Sequence, residues 1–155
     1  MGTEAVRAFL AARAPDISII EQASSTATVL EAAATLGVAP GQIAKTLSLR
    51  VGDQVLLVVA AGDCRLDNRK VKAALGNRPR MLTAEDVEQL TGHPVGGVCP
   101  FGLPAPLPIY CDISLRQFDS VYLAAGSRTA SVRITPERLA ELVGAIWADL
   151  CSPPS

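Results

Sequence analysis

Two apolar runs, Ile43 to Val51 and Gln54 to Ala61, meet at Gly52-Asp53, and this pattern constrains the fold more than any other stretch of the chain. Gly52-Asp53 suits a two-residue turn of the primed type, so the runs are expected to pair as an antiparallel hairpin. With those residues as the loop, Val51 faces Gln54 and, counting back, Lys45 faces Ala60. Side chains alternate along a strand, so Ile43, Lys45, Leu47 and Leu49 share one face while Ala44, Thr46 and Ser48 share the other. A lysine therefore stands among aliphatic neighbours. Its ammonium is costly there unless it is paired, reaches water or meets a ligand.

A chain of 155 residues is most simply one domain, 1–155, with its core over about 24–147 and a mobile tail at 151–155. Hydrophobic residues make up 49% and aromatic ones only 4%, so the core must be built from Ala, Val, Leu and Ile. The net charge of −1 gives no general attraction to nucleic acid, yet six of the fourteen basic residues fall between Arg65 and Arg80. A solvated helix face and a phosphate-contacting patch are both open for Arg65, Arg69, Lys70 and Lys72. Cys64, Cys99, Cys111 and Cys151 lack the close pairing of a zinc site and are read as reduced packing residues, so no metal is expected. The start lacks a secretory pattern and the longest apolar run is too short to span a bilayer, which points to a soluble cytoplasmic protein.

Local signals place helices over Thr3 to Arg13, from a cap at Ser24 or Ser25 to Leu36, over Asn68 to Leu75 after Asp67, and through Leu90 after Thr83. Strands are expected at Ile17 to Glu21, Arg80 to Leu82, Ile109 to Ile113, Val121 to Ala125 and Ala130 to Ile134. Thr135-Pro136-Glu137 opens a last helix whose buried stripe runs Leu139, Leu142, Val143, Ile146, Leu150. Two hairpins among interspersed helices predict an α+β single domain with a mixed, largely antiparallel sheet.

The residues 92–108 hold four of the twelve glycines and five of the eleven prolines, which excludes helix and central strand. Within this segment Gly96-Gly97-Val98 can serve as a turn or as an anion cradle of adjacent N–H groups. His93 and Cys99 lack an evident orienting partner and are read as packing residues. None of the common phosphate-binding glycine loops or serine-hydrolase elbows is present.

Ile43-Ala44-Lys45-Thr46-Leu47, Gly62-Asp63, Thr91-Gly92, Gly96 to Gly102, Asp112, Ala125-Gly126-Ser127 and Thr135 to Leu139 occur in an order that resembles the YbaK/EbsC family, the prolyl-tRNA-synthetase-associated editing domains. The resemblance runs from about Ser24 to Trp147. It implies a barrel-like mixed sheet surrounded by helices and a trans-acting deacylase of mischarged aminoacyl-tRNA, with no cofactor. By position, Lys45 matches the family's essential lysine and Gly97, with Gly96 and Val98, the loop that polarises the ester. Thr46, Asp112, Gly126 and Ser127 would line the pocket. Cys99 and Phe101 depart from residues common in relatives, which bears on the amino acid removed.

The expected partner is then the 3′ acceptor end of aminoacyl-tRNA carrying Ala, Pro, Cys or Ser, with an aminoacyl-tRNA synthetase as a further candidate partner and no membrane. An aminoacyl ester is already activated, so a site that orients it and stabilises the oxyanion needs no protein nucleophile. Lys45 would anchor phosphate or act as a base. The alternative is a non-catalytic module of the same fold that binds an aminoacyl or nucleotide end.

Overall fold

The computed structural model describes residues Gly2 to Pro154; Met1 and Ser155, the two ends of the expected domain, lie outside the described residues. The expected hairpin forms strands β2 (Ala44–Val51) and β3 (Gln54–Ala61), preceded by β1 (Ile20–Glu21). Val51 pairs with Gln54 and Lys45 with Ala60, the register that the turn dictates. Gly52 adopts φ 61°, which glycine reaches without strain.

Short β4 (Arg65–Leu66) follows, and β5 (Pro79–Met81) joins the outer edge of β2 antiparallel. On the other side, β6 (Ile109–Asp112) pairs parallel with β3. The remaining hairpin, β7 (Val121–Ala124) and β8 (Ala130–Ile134), forms a three-stranded sheet with β1. A bridge between Ile43 and Tyr122 links this sheet to the five-stranded one. The architecture is α+β with mixed sheets, as expected.

Strand β3 is central, which explains its unbroken apolar run. Leu57 and Val59 enter one core with Val6, Phe101, Leu123 and Leu139, whereas Leu56, Val58 and Ala60 enter a second with Leu49, Val71 and Leu150. Each core draws its helices through local caps. Helix α1 (Thr3–Arg13) buries Val6 and Leu10. Helix α2 (Val29–Leu36) is capped by Thr28, not by Ser24 or Ser25, because the Thr28 hydroxyl takes the Glu31 N–H and Ser25 is engaged by the Ala27 N–H. Asp67 caps α3 (Asn68–Leu75), and Thr83 caps α4 (Ala84–Thr91), as their spacing predicts.

The last helix is a correction. Helix α5 (Pro136–Val143) stops at Gly144, whose left-handed φ of 65° returns its N–H to the Ala140 and Glu141 carbonyls. Ile146, placed in the buried helical stripe, is instead 57% exposed on β9 (Ile146–Ala148), which pairs parallel with β6. The expected mobile tail is corrected at its first two residues: β10 (Cys151–Ser152) pairs with β4. Asp112 makes this ending possible. Its carboxylate accepts the N–H groups of Ser114, Leu150 and Cys151 at 2.9, 2.7 and 3.0 Å.

The proline- and glycine-rich segment is held from within by His93. Its Nε2–H donates to the Phe101 carbonyl at 2.7 Å, and the Cys99 sulfur lies 3.5 Å from the same nitrogen. Burial lowers the basicity of His93 below its ordinary value of 6.5, and it pushes the Cys99 thiol up to about 12. Both are packing residues, as read from the sequence.

Two outcomes follow from these buried groups. Asp112→Ala should lower the urea-unfolding free energy by roughly 3 kcal/mol, because three N–H groups lose their acceptor, while Asp112→Asn should cost less. The second concerns pH. Above the ordinary value His93 is neutral folded and unfolded, and its contribution is complete; as pH falls from about 7 to about 5 the unfolded chain binds a proton that the folded chain resists, so the urea midpoint should fall, and His93→Gln should flatten that slope.

Candidate active site

A cavity of ≈ 200 Å³ opens between α2, β2, the Val95–Val98 loop and the β7–β8 sheet. Its walls are mainly aliphatic: Val29, Ala32 and Leu36 from α2, Ala44 from β2, Val98 from the loop and Leu123 from β7. Hydroxyls of Thr46, Ser48 and Ser131 punctuate this surface. Among the described residues the buried Thr46 hydroxyl has no hydrogen-bond partner. Thr46 and Ser48 reach the cavity because alternation along β2 sends them to the side opposite Leu47 and Leu49.

Lys45 bounds the same cavity, but its ammonium turns to the end of β3, where it donates to the carbonyls of Gly62, at 3.4 Å, and Cys64. Neither Asp63 nor Asp112 pairs with it. Carbonyls satisfy hydrogen bonds without cancelling charge, so the half-buried ammonium keeps a net attraction for an anion.

The glycine loop divides its roles. Gly96 has φ +92°, and a Cβ there would come within 3.0 Å of the Ala27 Cβ. Gly97 is buried away from the cavity walls, and its N–H donates to the Pro94 carbonyl at 2.9 Å. A Cβ on Gly97 would lie 2.6 Å from the Ser127 nitrogen, so glycine is required there for the approach of two backbones. Gly96 and Val98 do line the cavity, and among the described residues neither N–H meets a protein acceptor.

Lys45, Thr46, Gly96 and Val98 are thus brought together, whereas Gly97, Gly126 and Ser127 stand behind the loop and Asp112 is committed to backbone N–H groups elsewhere. Gly126 donates its N–H to the Gly97 carbonyl at 2.9 Å, and the Ser127 hydroxyl takes the Thr129 N–H. Arg65, Arg69, Lys70 and Lys72 do not line the cavity either. Val71 of α3 enters the second core, on the far side of the sheet, and the Lys70 ammonium is held by Asp149 and the Cys151 carbonyl, both at 2.9 Å.

One pair escaped sequence reasoning. Arg50 and Arg80 stand directly opposite each other across β2 and β5, on the face that carries Thr46 and Ser48. Like charges in that position repel, and among the described residues no carboxylate pairs with either. Only the register between two strands distant in sequence reveals it.

The sequence pattern of the aminoacyl-tRNA editing domain matches residues 23–142. The chain is 42% identical over 153 residues to the uncharacterized protein YwhH of Bacillus subtilis strain 168, covering 97% of this chain and 98% of that one. It is also 31% identical over 93 residues to the proline–tRNA ligase of Bacillus licheniformis, a match covering 59% of this chain and 16% of the ligase. Among solved structures, a proposed trans-editing enzyme for prolyl-tRNA synthetase superposes with a TM-score of 0.89 at 36% identity, covering 97% of this chain and 96% of that one. With a matching pattern over most of its length, a full-length relative and a superposable fold, the chain belongs to the aminoacyl-tRNA editing domain family.

Proposed function

We propose that the chain hydrolyses, in trans, the ester of mischarged tRNA carrying a small amino acid such as Ala, Pro, Cys or Ser. The observation that carries this reading is the small aliphatic cavity beside the unengaged N–H groups of Gly96 and Val98. A short neutral side chain fits such walls, whose aliphatic lining offers no charged partner to a charged one. Likeness to proline–tRNA ligases and to the proposed trans-editing enzyme supports a tRNA charged by prolyl-tRNA synthetase as the substrate's source.

In this reading the ester carbonyl turns its oxygen to the Gly96 and Val98 N–H groups. Water adds to the carbonyl carbon, and the negative charge that develops on the oxygen is met by donors already in place. The carbon–oxygen bond to the ribose then breaks, and the departing ribose oxygen takes up a proton. A water, or the neighbouring ribose hydroxyl, relays that proton without a protein nucleophile. Lys45 supplies an ammonium to a phosphate of the 3′ end, exchanging carbonyl partners for an anion.

The paired arginines at 50 and 80 extend this cation supply toward the acceptor strand, and the exposed Arg65, Arg69 and Lys72 are a second candidate contact. A non-catalytic binding module remains the rival, and the engagement of the Lys45 ammonium by carbonyls favours it.

Amino acid release from a panel of mischarged tRNAs separates these readings. Wild type should release the small amino acids, and Lys45→Ala should raise KM by at least about tenfold. Silence across the panel sinks the hydrolase, whereas release indifferent to Lys45→Ala sinks the anchor. In tRNA binding, joint replacement of Arg50 and Arg80 by Gln should lower the log–log salt slope by about two. A slope unchanged after neutralising Arg69 and Lys72 counts against tRNA contact at α3.

A further inference from the structure

Arg128, in the turn between β7 and β8, ties together three segments at the edge of the cavity. Its carbonyl accepts the Thr26 N–H at 2.7 Å and the Thr26 hydroxyl at 3.1 Å. Its Nε–H donates to the Val95 carbonyl at 3.1 Å. The side chain lies so close to Gly96 that a Cβ on that glycine would sit 3.2 Å from the Arg128 Cγ. Thr26, Val95 and Gly96 all line the cavity, so the guanidinium stands beside the loop that presents the Gly96 and Val98 N–H groups.

The side chain is exposed, and among the described residues no carboxylate pairs with it. An arginine has five N–H donors, and the Val95 bond uses one. The anchoring Nε bond holds the group against the loop, so its outer edge meets an incoming ligand with less loss of side-chain freedom than an untethered surface arginine. A planar fork of paired donors matches two oxygens of one phosphate. In aminoacyl-tRNA the ester and the phosphodiester to the preceding nucleotide are carried by one and the same terminal ribose, so an ester held at Gly96 and Val98 would bring that phosphate to the edge of the cavity.

We propose, taking the chain to act on aminoacyl-tRNA as above, that Arg128 binds a backbone phosphodiester of the substrate's 3′ end while its Nε clamps the Gly96 loop. It is a positioning residue: it holds the nucleotide strand and the oxyanion donors in one frame. The neutral cavity then recognises the amino acid, and the arginine at its edge recognises the strand that carries it.

Binding of two unreactive probes tests this assignment, with an alanyl amide replacing the ester: one on a CCA trinucleotide, the other on bare adenosine, which has no phosphate. Wild type should bind the trinucleotide more tightly. Arg128→Gln should weaken trinucleotide binding by about tenfold and lower its salt slope by about one, while the adenosine probe, which feels only the released loop, should weaken by less than about threefold. Arg128→Lys, which keeps the charge and loses the fork, should fall between. Equal weakening of both probes assigns the guanidinium to the ester or the loop and overturns the phosphate assignment, as does unaltered binding of both or failure of wild type to prefer the trinucleotide. Failure of the hydrolase reading shows separately, as no release from charged tRNA by a wild-type protein that still binds the trinucleotide in an Arg128-dependent way.

Discussion

The ladder between β2 and β3 decides where every group at the candidate site points. Strand β3 is apolar on both faces and sits inside the five-stranded sheet, so its two sides feed separate cores. Strand β2 lies beside it and inherits that division: Ala44, Thr46 and Ser48 face the cavity, while the Lys45 ammonium travels the other way to the turn after β3. A slip of one residue would exchange these sets and bury polar groups in both cores. The aliphatic load on β3 makes such a slip costly, and Gly52-Asp53 supplies the turn that sets the count.

Charge is arranged around the cavity rather than within it. The walls present methyl groups and hydroxyls, and the cations stand outside: Arg50 with Arg80 beyond Ser48, and Arg128 beside Gly96. Such a layout suits a ligand with a small neutral end on a polyanionic strand, because desolvating a charge inside the cavity would oppose binding whereas exposed cations retain their hydration. Asp112, which sequence reasoning placed at the pocket, would have put a negative charge near that strand. Its three N–H partners instead make it the fastening of the chain's closing segment.

The glycine loop shows how a structural requirement and a chemical one share adjacent residues. Gly97 is needed for the close approach of the Ser127 backbone, and its N–H is committed to the Pro94 carbonyl. The flanking residues Gly96 and Val98 line the candidate site, and among the described residues their N–H groups meet no protein acceptor. A run of Gly-Gly-Val signals a tight backbone in any sequence, but which amide points outward depends on the segment packed against it.

From the sequence alone came the elements and their local stops: the hairpin register, the caps at Asp67, Thr83 and Thr135, the irregular character of 92–108, and the family resemblance carried by short motifs. These depend on neighbours within a turn or two, so the residues that decide them lie side by side in the chain. The end of α5 was misread because Ile146 and Leu150 continue a helical spacing that Gly144 interrupts, and nothing local announced that β9 pairs parallel with β6. Only the tertiary structure brought Arg80 opposite Arg50, Arg128 against Gly96, and the closing strand onto Arg65 and Leu66. The reason is physical: pairing and packing between distant segments are chosen by the burial of both cores together, a sum over the whole chain that no single stretch contains.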